Sequence, residues 1–254
     1  MDPFESSYIW VYEGTEITTE AKPELQLPSR TWIITKKLEE IANVTTQWDI
    51  DHGYKPGCAG AKLICHLKGH PQKLAFMRIY RQIPIDGTAF APSSIRASQA
   101  VPRISNCELR AFITLTQQKC SGIPKLLGYH EGTQGPNEIV PGGYEVLIVW
   151  EKVPGNPLSK DYFWSLKKKQ RDWIREQFRQ IYQQILRCGI TPLNTTPASL
   201  TYDESTGSLC FSNFEAAVPT DPKKRFRQAD YVIYGLAKPS DRTDWPEDTS
   251  GWQW

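Results

Sequence analysis

The stretch "LCFSNFEAAV" (residues 209–218) decides how the rest of the chain is read. Leu209 and Phe211 alternate with Cys210 and Ser212, and the pattern then breaks at Asn213-Phe214-Glu215, as expected of a short strand running into a tight turn. Upstream, "LTYD" (200–203) and "LCFS" (209–212) enclose "ESTGS", which predicts a hairpin with Gly207 in its turn. An amide, a phenyl ring and a carboxylate therefore leave the end of a hairpin in consecutive positions.

Working outward, "YFWSLKKKQRDWIREQFRQIYQQILRCG" (162–189) carries the strongest helical pattern. Ile174, Phe178, Ile181, Tyr182, Ile185 and Leu186 form one apolar stripe, Gly189 supplies the stop, and Lys167–Lys169 with Arg171 read as a solvated face. Before it, "YEVLIVWEKV" (144–153) is a buried strand that follows the turn "PGG" and ends at Pro154-Gly155. Ser105-x-x-Glu108 is a capping box, and Leu109, Phe112, Ile113 and Thr116 continue it as a helix to about Lys119. "AKLICHL" (61–67) and "LAFMRIY" (74–80) read as a strand pair joined by "KGHPQK". "TWIITKKLEEIAN" (31–43) has a β-branched start and a helix-favouring end, so its type stays open. Residues 1–30 read as an extended arm with one strand at "YIWVY".

Composition narrows the function classes. The 254 residues are 39% hydrophobic and 23% charged, enough for one large or two small lobes with a proper core. A net charge of +2 gives no reason to expect nucleic acid or membrane as partner. The opening "MDPFESSYIWVYEG" has no basic segment before an apolar one, and the longest apolar run, "VLIVW" (146–150), is far short of a membrane span, so a cytoplasmic protein is expected. Six scattered cysteines without C-x-x-C spacing read as reduced thiols; Cys58, Cys65, His66 and His70 fit no familiar zinc spacing, and no metal is expected. No Gly-x-Ser-x-Gly supports a hydrolase nucleophile.

The order of hairpin, helix, strands, Pro-Gly hinge, long helix, hairpin and Asn-Phe-Glu resembles the protein-kinase-like fold, in particular a family of kinase-like proteins abundant in filamentous fungi. "AFMRIYRQIP", "ELRAFITLTQQKCSGIPKLLGY", "VPGGYEVLIVWEKVPG", "CGITPLNTTPASLTYD" and "DYVIYGLA" carry the resemblance, over about residues 60–237. It implies an α+β, two-lobed fold: an N-terminal arm at 1–54, a small lobe at 55–153 and a shortened large lobe with a Trp-rich tail at 154–254, since 39 residues follow Glu215. For Trp245, Trp252 and Trp254 in that tail, docking on the protein's own large lobe is preferred over anchoring a partner.

Kinase chemistry needs a strand Lys held by a helix Glu, a base Asp, an Asn five residues later and a metal-binding Asp. The resemblance puts the strand cation at Arg78 and its helix partner at Glu108. The base falls on Asn194, the following Asn on Ser199 and the metal ligand on Asn213. An amide cannot accept the substrate's proton near neutral pH, and a neutral oxygen is a poor anchor for Mg²⁺. Phe76 replaces the small residue that lies against the adenine ring, so a nucleotide would be crowded there. Glu151 and Glu215 complete the nucleotide-pocket candidates. Gly53, Gly57 and Gly60 do not form a Gly-rich phosphate loop. The expectation is a pseudokinase that binds and regulates a protein partner without cofactor. The alternative is an active ATP- and Mg²⁺-dependent phosphotransferase with Glu215 or Asp203 as an atypical metal ligand.

Overall fold

The computed structural model describes residues 7–254, so Asp2, Pro3 and Glu5 of the opening stretch lie outside the described residues. The fold mixes helices and strands, and the chain divides into two compact units. One takes the described residues up to Asn106 together with Leu126–Lys152; the other takes Cys107–Lys125 and Val153–Trp254.

The first unit is built on one antiparallel sheet. Its elements are β1 (Glu16–Thr19), β2 (Arg30–Asn43), α1 (Gln47–Asp51), β3 (Cys58–Leu67), β4 (His70–Gln82), α2 (Ser93–Ser98), β5 (Leu126–Thr133) and β6 (Tyr144–Glu151), with strand order β1-β2-β3-β4-β6-β5. The open stretch 31–43 is thus a strand. Pairing with β3 overrides the helix preference of its second half, at the cost of two register shifts, Ile34/Lys36 and Lys37/Glu39. Alternation sends Ala59, Ala61, Leu63 and Cys65 of β3, Ala75, Met77 and Ile79 of β4, and Leu147 and Val149 of β6 into one core with Trp32, Ile34 and Ile9.

The strand expected at "YIWVY" does not form. The amides of Tyr8 and Ile9 instead donate to the Glu40 carboxylate at 2.6 and 3.2 Å, and Lys37 Nζ donates to the Ile9 carbonyl at 2.9 Å. A side-chain ion pair, Lys37–Glu40, does the work of a ladder and seats Ile9 in the core. Burial pushes the Glu40 carboxyl up, but its bonds from Lys37, Tyr8 N–H and Ser7 outweigh this and hold it below the usual range.

The second unit comprises α3 (Cys107–Gln117), β7 (Asn156–Pro157), α4 (Lys160–Ser165), α5 (Lys168–Arg187), β8 (Ile190–Pro192), β9 (Leu200–Asp203), β10 (Ser208–Phe211), β11 (Ala217–Pro219) and α6 (Ala229–Ile233). Helix α3 begins one residue later than a Ser105 cap would set it. The single helix expected over 162–189 is two. Leu166 turns to an extended conformation (ψ 152°), Ser159 caps α4, and α5 starts afresh at Lys168. The apolar stripe of α5 is buried as expected, and Gly189 (φ +75°) ends it. Gly155 of the Pro-Gly turn (φ +98°) has no room for a side chain, because a Cβ would lie 2.3 Å from the Tyr202 carbonyl oxygen. The tail docks within its own unit: Trp252 is buried, Trp254 meets Tyr231 and Arg175, and Lys238 bridges to Gln253.

Candidate functional site

The expected hairpin of β9 and β10 forms, with Leu209 opposite Tyr202 and Phe211 opposite Leu200. Its turn is closed by Asp203, whose carboxylate accepts from Ser205 N–H (3.0 Å), Ser205 Oγ (2.7 Å) and Thr206 Oγ1 (2.7 Å). These bonds hold the Asp203 carboxyl below its ordinary range. Asp203 is thus occupied by its own turn, as an Asx residue commonly is.

Where β10 ends, Phe214 is fully buried and packs edge-on against Phe112 of α3 at 5.4 Å, and against Phe211 at 5.4 Å. Burying that ring orients its neighbours. Asn213 Oδ1 accepts from the Glu215 amide at 3.1 Å and from Asn194 Nδ2 at 3.3 Å. The Glu215 carbonyl accepts from the Cys107 thiol at 3.0 Å, tying the turn to the start of α3. Asn194 lies in the loop after β8, and a 3-10 turn at Pro197–Ser199 brings the chain back so that Ser199 Oγ donates to the Asn194 carbonyl at 2.6 Å. Ser199 is fully buried, and its own carbonyl accepts from Ser212 N–H at 2.9 Å. Asn194, Ser199 and Asn213, nineteen residues apart at their extremes, thereby form one hydrogen-bonded cluster.

The donor set of that cluster is two amides and a hydroxyl, all neutral. Magnesium favours carboxylates with water and phosphate, so these three side chains are a poor fit for it. The direct amide–amide bond also needs one donor and one acceptor. Two carboxylates in these places would repel unless a cation or a shared proton intervened. Among the described residues, no group of three or more His, Cys, Asp or Glu side chains is placed to hold a metal ion.

The remaining candidates lie mainly in the first unit. Phe76 and Arg78 of β4 alternate away from the core face that holds Ala75, Met77 and Ile79. Arg78 is only 5% exposed, which rules out a solvated strand cation. Its guanidinium lies over Trp150 at 5.6 Å, reaches Tyr80 Oη at 3.4 Å and pairs with Glu39 at 3.7 Å. Phe76 is half-buried beside Trp150, with Lys62 Nζ 4.9 Å and Lys152 Nζ 5.8 Å from its ring centre. It is not part of the sheet's apolar core. Glu151 pairs in register with Ala75, so its side chain leaves the opposite face of the sheet from Phe76. Glu108 sits on α3 in the second unit and is almost wholly buried.

Sequence reasoning did not find Lys62 or Trp150, because they come beside Phe76 and Arg78 through strand register, Lys62 facing Arg78 and Trp150 facing Phe76; nor did it find Lys152, just past the end of β6. It did discount the glycines, and each has a local task. Gly53 (φ +81°) follows α1; a Cβ on Gly57 would lie 2.9 Å from Ile83, and one on Gly60 would lie 3.3 Å from the Tyr80 ring. The connection between β2 and β3 carries α1, capped reciprocally by Thr46 and Asp49.

No family model matches the chain, and no curated protein matches it. Among solved structures that match is the Cydia pomonella granulovirus kinase PK-1, at 15% identity and a TM-score of 0.46, covering 74% of this chain. The chain spans about half of that kinase, 52% of its length.

Proposed function

We propose that the chain is a kinase-like protein without phosphotransfer activity, a cytoplasmic pseudokinase that acts by binding a protein partner. The observation that carries this reading is the Asn194–Asn213 amide pair, closed on itself with Ser199 beneath it. In the roles implied by the kinase resemblance, these positions would supply a base and a metal ligand. The side chains present can neither accept a proton near neutral pH nor balance the charge of Mg²⁺. Phe76, flanked by Lys62 and Lys152, adds an aromatic ring where the resemblance implies an adenine. The affinity with kinase-like proteins of filamentous fungi belongs to the same reading and is supported by the quoted stretches alone.

The test is to follow both phosphoryl transfer and ATP hydrolysis with Mg²⁺, and to measure the thermal shift caused by ATP with and without the metal. The expected result is no turnover above a buffer blank and no Mg²⁺-dependent stabilisation, since a ligand that binds only the folded state raises the melting temperature. Turnover that disappears in Glu215→Ala would overturn the reading and make Glu215 an improvised metal ligand.

A further inference from the structure

The segment "DPKKRFRQ" (221–228) sets four cations against one carboxylate and runs beside the C-terminal half of α5. From this segment only Phe226 joins Arg179, Gln180, Gln183, Gln184 and Arg187 of α5 in lining a groove of about 460 Å³. No carboxylate lines it.

The hydrogen bonds show which groups are already engaged. Arg225 folds back onto the carbonyls of Pro222, Lys223 and Lys224, and Lys224 Nζ reaches Thr191 Oγ1 at 3.2 Å. Arg179 is paired with Glu176. Arg187 and Lys223 have no carboxylate partner among the described residues. Gln183 Oε1 accepts from the Phe226 amide at 2.9 Å, while its Nε2 is buried without a hydrogen-bond partner among the described residues. The Phe226 ring is braced by Tyr231 at 4.9 Å and Phe178 at 6.2 Å, so it is a fixed wall.

From these features we infer that the groove is a docking site for an acidic peptide segment of a partner protein. Guanidinium groups pair with carboxylates, and each glutamine amide offers both a donor and an acceptor to an extended peptide backbone. The held ring supplies apolar contact for a side chain. The chain's net charge of +2 gives nucleic acid little general attraction. This inference names a partner class for the binding role proposed above, and it does not depend on the amide cluster being inert. Peptide binding and turnover are read separately, so either can fail alone.

The experiment is fluorescence anisotropy on the full chain with a labelled oligoglutamate peptide; an oligoglutamine peptide and a single-stranded DNA of equal charge serve as comparison probes. The parent should bind oligoglutamate, and Arg179→Glu with Arg187→Glu should weaken it at least about tenfold. Lys167→Glu with Lys169→Glu, a charge reversal of equal size elsewhere on the unit, should leave it unchanged. Arg187→Gln should give a smaller loss in the same direction, and it preserves a test if the double reversal fails to fold. No binding by the parent, an equal loss in the Lys167/Lys169 variant, equal affinity for oligoglutamine, or tighter binding of the DNA would each overturn the proposal.

Discussion

The loop cluster of the second unit and the sheet of the first handle their polar groups in opposite ways. Asn194, Ser199 and Asn213 close on one another with neutral hydrogen bonds. The sheet keeps its charges: Arg78 is buried beside Trp150 and Glu39, and the Lys37–Glu40 pair pins residues 7–9. The comparison separates frame from chemistry. A loop can hold its backbone path with amides alone, because the amides satisfy one another. A sheet face with a buried guanidinium has no such quiet replacement, since removing the groups around it would strand its charge.

The largest effect should come from the ring that orients the loop. Phe214→Ala removes a fully buried side chain from between Phe112 and Phe211, and should cost about 3–5 kcal/mol in urea unfolding. The same truncation at the half-buried Phe76 should cost roughly 1–2 kcal/mol, because much of the ring's surface is already outside the core. Equal costs would mean that Phe76 is an anchor of its unit comparable to Phe214, and the contrast between the two regions would lose its basis.

A smaller effect, but one aimed at the amide pair itself, is expected from introducing acids. Asn213→Asp alone keeps an acceptor for Asn194 Nδ2 and the Glu215 amide, so it should be close to neutral. Adding Asn194→Asp removes the donor and sets two carboxylates side by side, with an expected cost of about 2 kcal/mol at neutral pH. The sign follows from linkage. Repulsion raises a folded-state pKa above its unfolded value, so the penalty is absent at low pH and grows as pH rises through the carboxylate range. On the proposed reading the double variant should also show no turnover with ATP and Mg²⁺, since Ser199 and Arg78 are unchanged and catalytic groups act as a unit. A double variant as stable as the parent at pH 7, or one that turns over, would show that the cluster still accommodates a cation.

How much of this was legible beforehand depends on how local the cause is. The 200–212 hairpin could be read because Asp203, Gly207 and the flanking alternation all act within a few residues. The apolar stripe of α5 was legible for the same reason. The break before it was not, because Leu166 leaves helical geometry without a Pro or Gly to announce it. Helix α1 had a signal that went unread, the Thr46-x-x-Asp49 capping box. At the site, the five-residue spacing of Asn194 and Ser199 is visible in the chain, but the bond from Asn194 to Asn213 depends on folding across β8 and β10. Lys62 and Trp150 depend on register, which alternation within one strand does not set.

The smallest expected effect tests the charged side of the comparison through pH. Glu40 accepts from Ser7 Oγ at 2.9 Å and from the amides of Tyr8 and Ile9, and these bonds keep its folded pKa below its unfolded value. A depressed carboxylate contributes stability that is present above the unfolded pKa and is lost as pH falls through the folded one. Residues 8 and 9 should therefore lose hydrogen-exchange protection on acidification, while the amides of Ser212 and Glu215, which donate to Ser199 O and Asn213 Oδ1 in the neutral cluster, should keep theirs. Glu40→Gln should mimic acid at pH 7, releasing the strap by about 1 kcal/mol, because the amide keeps an acceptor oxygen but no charge for Lys37. If residues 8 and 9 stay protected in acid and in Glu40→Gln, then Ile9 packing alone holds the strap, and the two units do not differ in how charge serves them.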